Sequence, residues 1–216
     1  MIALVVFDLD GTLVDSHRDI ANAANALLDE LGGPRLPDAS IVAMVGEGAG
    51  VLVRRALAAA GLDPETPGAL DRFLSLYDDR LLVHTAPYEG TVETLDWLSG
   101  RVPMAVLTNK PGRATERMLD GLGLRGYFRE VIGGDTAFGR KPDPAGLLHL
   151  AAAANAGPGS TLMVGDSPAD LHAARNAGAQ ICLVRYGFGF RFAPGDFRGD
   201  ELFVDGPPQL KALLGE

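Results

Sequence analysis

Six short, continuously apolar runs punctuate the chain, at residues 2–7, 102–107, 131–132, 162–164, 181–184 and 202–204. Each is too short for a helix, and an unbroken apolar run predicts a strand buried on both faces. Segments with helical spacing separate most of these runs, at residues 90–100, 113–122, 144–156 and 168–177. Strands alternating with helices predict an α/β fold, a Rossmann-like parallel sheet with helices on both faces.

Between the first run and the second the pattern changes. Ile20, Ala23, Ala24, Leu27, Leu28 and Leu31 fall at helical spacing before Gly32, and Ser16 with Asp19 is read as a capping box at the start of that helix. Residues 49–60 predict a second helix between Gly48 and Gly61. Residues 68–83 predict a third, with Leu70, Phe73, Leu74, Tyr77, Leu81 and Leu82 on one stripe. The expected organisation is therefore an α/β core of residues 1–14 and 86–216 interrupted by an all-helical insertion, residues 15–85, with linkers near residues 14–16 and 85–90. No repeat or low-complexity segment is evident.

Composition narrows the class. The 216 residues are 47% hydrophobic and 22% charged, as in an ordinary globular protein. A formal net charge of −9 works against the basic surface that nucleic-acid binding needs. The apolar start is six residues long, lacks a basic flank and runs into Asp8, so it reads neither as a signal peptide nor as a membrane span. The single Cys182 forms no internal disulfide, which suits a reducing compartment, and the expectation is a cytoplasmic protein.

Candidate chemistry sits where strands end. Asp8 and Asp10 follow the first run, and a spacing of two puts both side chains on one side of an extended backbone. In open α/β sheets, ligands bind beyond the carboxyl ends of the strands, where this pair would lie. Asp-Gly-Thr is also good turn chemistry, which is the competing reading. Thr108 and Asn109 follow the second run, Lys141 precedes Pro142, and Asp166 and Asp170 follow the run at 162–164.

In that order, DxDGT, T-N, K-P and GDxxxD resemble the haloacid dehalogenase superfamily, and the resemblance spans the chain. Within it the sequence is similar to phosphoglycolate phosphatases through FDLDGTLVDS, VGEGA, PYEGTVETL, VIGGDT and KPDP. The resemblance implies a phosphatase acting on a small phosphomonoester, 2-phosphoglycolate first, through an aspartyl-phosphate on Asp8. Asp10 would be the general acid and base, although a free aspartate has a pKa of about 3.9 and the role requires an environment that raises it. Mg²⁺ is the implied cofactor, held by the Asp8 side chain, the Asp10 backbone carbonyl and Asp166. Thr108, Asn109 and Lys141 would hold the phosphate, Lys141 sharing in catalysis through its charge.

Asp170, one turn along the following helix, would orient Lys141 or a metal-bound water, or simply favour the helix dipole. Asp143 before Pro144 reads as a helix cap. A substrate carboxylate calls for a cation or amide donors near residues 46–50, Arg54 being the nearest cation. The implied partner is a small phosphorylated metabolite, with no nucleic acid and no membrane, and the chain is expected as monomer or homodimer. Other small substrates (pyrophosphate, a sugar phosphate, a nucleotide), a β-phosphoglucomutase and a non-enzymatic binding module stay open as alternatives. Residues 15–85 contain no lysine, which counts against a Schiff-base mechanism there. The four histidines show no metal-ligand spacing; His17 is singled out by its place at the linker. Residues 186–192 read as an ordinary loop, and Cys182 as packing.

Overall fold

The computed structural model describes residues 1–193 and 195–215. Its main sheet is built from β1 (Leu4–Phe7), β4 (Met104–Leu107), β5 (Glu130–Ile132), β6 (Thr161–Gly165), β7 (Gln180–Val184) and β8 (Leu202–Val204), in the order β5-β4-β1-β6-β7-β8. Every pairing in it is parallel. The chain winds outward from β1 through β4 to β5, then returns to lay β6 against the other side of β1. Strand order reverses between β1 and β6, the place where doubly wound sheets open a crevice for ligands.

The apolar runs of the sequence are these six strands, with bounds that shift by at most two residues. In β1, Val5 and Phe7 enter one hydrophobic cluster and Leu4 and Val6 the other, as the period of two requires. Helix α5 (Thr91–Leu98), α6 (Gly112–Gly121) and α9 (Gln209–Leu214) contribute Leu95, Met118 and Leu210 to the first cluster. Helix α7 (Ala145–Ala153) and α8 (Pro168–Ala177) contribute Leu147 and Leu171 to the second. The first cluster continues without a break through Leu9 and Leu13 into the helices that follow.

Those helices are α1 (His17–Glu30), α2 (Asp38–Val42), α3 (Ala49–Ala59) and α4 (Ala69–Asp78), with no strand among the described residues between them. Helix α1 packs against the other three. The short α2 was not expected. Helix α4 ends at Asp78 instead of running to residue 83: the Arg80 N–H turns to the Tyr77 carbonyl at 2.9 Å, a tighter i→i−3 bond, and the Arg80 guanidinium satisfies the Leu76 carbonyl at 2.9 Å. No described helix is long and apolar enough to cross a membrane.

The connections differ from the expected plain linkers. β2 (Val14–Asp15) and β3 (Ala86–Pro87) form a two-stranded antiparallel ribbon, Val14 opposite Pro87 and Asp15 opposite Ala86. The expected capping box is absent. Ser16 occupies the cap position of α1 without a side-chain hydrogen bond to the helix, and its Oγ donates to Asp10 Oδ1 at 2.5 Å. Asp19, buried in the first turn, accepts instead from the returning segment at His84 and Thr85.

Candidate active site

Asp8 lies at the carboxyl end of β1, and its N–H donates to the Val164 carbonyl at 2.9 Å, joining the ends of β1 and β6. Asp166 follows β6, so the two aspartates face the crevice from adjacent strands. Gly11, in the turn that follows Asp10, lets the chain pass close to Asp166. Its φ is +87°, and a Cβ there would stand 2.0 Å from Asp166 Oδ2. Gly187 and Gly189 crowd the same carboxylate, and the Gly189 N–H donates to Asp166 Oδ2 at 2.7 Å. Residues 186–189 therefore lie over the site, with the Tyr186 hydroxyl donating to the Thr12 carbonyl at 2.9 Å.

Lys141 is buried, with Nζ 2.6 Å from Asp170 Oδ1 and 2.8 Å from Asp8 Oδ1. The contact with Asp170 is a hydrogen bond. Asp170 Oδ2 meanwhile accepts from Ser167 N–H at 2.9 Å and Ser167 Oγ at 2.6 Å, forming the capping box of α8. One oxygen of Asp170 thus faces Lys141 and the other the first turn of α8.

Asn109 holds the loop that carries Lys141. Its Oδ1 accepts the Lys141 N–H at 2.8 Å, and its Nδ2 donates to the carbonyls of Lys141 at 3.0 Å and Gly46 at 2.8 Å. Both amide hydrogens are thereby committed to the protein, and the Asn109 side chain positions the Lys141 loop. Thr108, at the end of β4, lines the cavity together with Asp8 and Asp10. Asp143 accepts the Ala145 N–H at 2.9 Å, the helix-start role expected of it.

The electrostatics are those of a crowded anionic centre. Carboxylate oxygens of Asp8, Asp166 and Asp170 lie within 4.8 Å of one another, all three residues buried. Burial pushes the Asp8 carboxyl up to about 6 against the pull of Lys141, and the charge of Asp170 pushes the same way. Burial, then Asp170 and Asp8, raise Asp166 well above the usual carboxylate range. Burial would depress Lys141, but the charges of Asp170 and Asp8 outweigh it and hold the ammonium above its ordinary value.

The Asp10 carboxylate points elsewhere. Besides Ser16 it meets Lys110, whose Nζ is 3.0 Å from each of its oxygens and 2.6 Å from the Tyr77 hydroxyl of α4. Ser16 was expected only as a helix cap and Tyr77 only as part of an apolar stripe, and Lys110 carried no expectation. Lys110 directly follows the Thr108-Asn109 pair, but a loop lysine gives no sign in sequence that it is buried. The cavity that Asp10, Lys110 and Tyr77 line, open to solvent, has an apolar wall from the helical segment that includes Leu52, Phe73 and Leu74. Gly46 and Gly48 line it; Arg54 does not, being half exposed and turned towards Glu65 at 4.0 Å. Burial pushes the Cys182 thiol up to about 12, in keeping with packing.

Sheet order, carboxylates gathered at the switch point and a buried lysine among them place a reactive centre on an α/β fold, and the family and relatives that match the chain make it a hydrolase of phosphoric monoesters. The chain belongs to the haloacid dehalogenase-like hydrolase family, whose sequence profile matches residues 5–184. It is 44% identical over 191 residues to phosphoglycolate phosphatase 1 of Pseudomonas aeruginosa, covering 86% of this chain and 70% of that protein. It is 38% identical to the phosphoglycolate phosphatase of Chromobacterium violaceum, covering 99% of this chain and 96% of that one. Among solved structures, a protein of Haemophilus somnus described as a predicted phosphoglycolate phosphatase superposes with a TM-score of 0.90 at 29% identity, covering 98% of this chain and 97% of that one.

Proposed function

We propose that this phosphatase is Mg²⁺-dependent and hydrolyses a small phosphomonoester, 2-phosphoglycolate first, in two steps through Asp8. The observation that carries the reading is the cluster of Asp8, Lys141, Asp170 and Asp166 at the switch point, with Asp10 two residues from Asp8 on the cavity side. A carboxylate oxygen of Asp8 attacks phosphorus and the ester P–O bond breaks. Asp10 protonates the departing alcohol oxygen, then takes a proton from the water that attacks the aspartyl-phosphate, releasing phosphate and restoring Asp8. Thr108, the Asn109 backbone N–H and Lys141 surround the transferring group, and their dipoles and charge oppose its developing negative charge. Asp170 fixes the lysine.

The donor set fits a hard divalent cation. Three buried carboxylates share one ammonium, which leaves negative charge uncompensated before any phosphate arrives. Asp8 and Asp166, with the Asp10 backbone carbonyl, would hold Mg²⁺, and bound there the ion offsets phosphate charge and polarises a phosphoryl oxygen. Asp170 is a poorer ligand because both its oxygens are engaged by Lys141 and Ser167. Residues 15–85 would act as a cap that closes the cavity, excludes water and limits substrate size.

The names of the relatives support 2-phosphoglycolate as substrate. A panel of small phosphate esters with and without Mg²⁺, ranked by kcat/KM, tests it. Turnover of p-nitrophenyl phosphate that survives exhaustive chelation overturns the metal dependence. A kcat/KM for 2-phosphoglycolate no better than for pyrophosphate, glucose phosphates or nucleotides overturns the substrate alone.

A further inference from the structure

Lys110 is a buried lysine that the two-step chemistry above does not use. Its side chain is 4% exposed, and its three N–H groups are directed at the two oxygens of Asp10, 3.0 Å each, and at the Tyr77 hydroxyl, 2.6 Å. Among the described residues that line the cavity it is the sole cation, against Asp8, Asp10 and Asp166; Lys141 lies behind Asp8 and is spent on Asp8 and Asp170. A buried ammonium in an otherwise apolar part of a cavity needs an anion beside it. Asp10 supplies one here.

That partnership conflicts with the work assigned to Asp10. To protonate the leaving oxygen its carboxyl group must face the ester and not the ammonium. If it turns away, Lys110 is left buried without an anion, unless the ligand brings one. We propose that the Lys110 ammonium, together with the Tyr77 hydroxyl, is the subsite for a second anionic group of the substrate, a carboxylate one methylene beyond the ester oxygen, and that the Asp10 carboxylate occupies the place of that group in this structure.

The placement suits the chemistry. In a phosphorylated 2-hydroxy acid the ester oxygen and the carboxylate are separated by one carbon, so the group that serves the oxygen and the cation that serves the carboxylate must be neighbours. Asp10 and Lys110 are in hydrogen-bond contact. The Tyr77 hydroxyl accepts from Lys110 and donates to no acceptor among the described residues, so its hydrogen is free for a carboxylate oxygen. Burial, then the charges of Asp10 and Asp19, hold Tyr77 well above the usual phenol range, which keeps that hydrogen in place. Leu52, Phe73 and Leu74 bound the space beyond and favour a short tail. Arg54, the cation expected to meet a carboxylate, stands outside. Tyr77 belongs to α4, so the subsite joins the helical segment to the core, and its occupation would reward closure.

The inference rests on the phosphatase reading but is measured apart from turnover. With Mg²⁺ present, calorimetric titration of 3-phosphonopropionate, which is not hydrolysed, is compared with propylphosphonate, of similar length without the carboxylate. The wild-type protein is expected to prefer the carboxylated ligand by on the order of 10- to 100-fold, the worth of one charged hydrogen-bonded contact. In Lys110→Met the preference collapses towards one; in Lys110→Arg part of it returns; in Tyr77→Phe it shrinks. A preference that persists in Lys110→Met overturns the subsite, as does a wild-type protein with no preference. Thermal melts report whether each variant is folded; should Lys110→Met not fold, Lys110→Arg and Tyr77→Phe decide, and an unchanged preference in both overturns the proposal. The kinetic arm compares 2-phosphoglycolate with 2-hydroxyethyl phosphate. If the titrations support the subsite while another carboxylated phosphate ester is the better substrate, the 2-phosphoglycolate reading fails and the subsite stands.

Discussion

Thr85 gives both its backbone N–H and its hydroxyl to Asp19 Oδ2, each at 2.8 Å. His84 N–H adds a third donor at the same distance. One buried carboxylate at the start of α1 therefore fastens the segment that returns to β3, alongside the β2–β3 ribbon. Asp19→Ala would strand three donors and is expected to cost about 2–4 kcal/mol, since donors to a charged acceptor lose more than neutral ones. Urea denaturation measures it. A loss below about 0.5 kcal/mol, the scale of an ordinary surface substitution, would remove Asp19 from the connection.

Gly11→Ala tests how tightly Asp166 is caged. At φ +87° a Cβ is strained whatever the space, and the nearest atom, Asp166 Oδ2, would be 2.0 Å away. The expected outcome is a folded protein destabilised by about 1–3 kcal/mol, with turnover that needs more Mg²⁺ to reach half its maximum because Asp166 is displaced. A variant with the wild-type Mg²⁺ dependence would show that Asp166 does not hold the ion.

The core was legible because its signals are local and repeated. An unbroken apolar run such as residues 162–164 reports burial on both faces by itself, and Asp8, Asp10 and Asp166 stand just beyond strands that such runs define, while Lys141 was marked by the K-P of its loop. What sequence could not supply was what lies across from a residue. Two-residue strands carry no period, so the Val14–Pro87 pairing left no mark. Ser16 and Asp19 have the spacing of a capping box, but a side chain engaged by Asp10 or Thr85 is unavailable to its own helix. Asn109 and Lys110 follow the same strand and look alike in sequence. Only the fold shows that one grips the Lys141 loop and the other reaches Asp10 and Tyr77.

Proton linkage predicts how Mg²⁺ and pH act together on stability. Asp8 is raised to about 6 when folded, against about 3.9 when unfolded, so between those values the folded protein holds the extra proton. Without Mg²⁺, stability is therefore expected to fall as pH rises from about 4 through 6, and Asp166, raised in the same sense, extends the fall upward. Mg²⁺ binds the charged carboxylates and opposes it. The rise in Tm on adding saturating Mg²⁺ should be larger at pH 7.5 than at pH 5. An equal rise at both would separate the ion from these carboxylates.

Lys141→Ala removes the one ammonium inside the carboxylate cluster. Asp8, Asp166 and Asp170 would then face each other uncompensated, and breaking a buried pair in this way costs about 3–5 kcal/mol. The Asp8 carboxyl, which Lys141 now pulls down against burial, would rise above about 6, so the acid limb of kcat/KM should move to higher pH. A lower plateau with the limb unmoved would assign Lys141 to phosphate alone.

Asp8→Asn separates chemistry from stability. The raised carboxyl shows that the charged form is disfavoured in the fold: burial and the charge of Asp170 together outweigh the attraction of Lys141. An amide of the same shape carries no charge to desolvate, so without Mg²⁺ at pH 7.5 the variant is expected to be as stable as the wild-type protein or more so. Sites built for chemistry often trade stability in this way. Turnover should vanish all the same, because an amide oxygen is too poor a nucleophile to take the phosphoryl group. Thermal melts and a single-turnover assay with 2-phosphoglycolate read the two effects independently. A marked loss of Tm would mean that the Asp8–Lys141 pair stabilises the fold and that the crowding is relieved elsewhere, and near-normal kcat would remove Asp8 as the nucleophile.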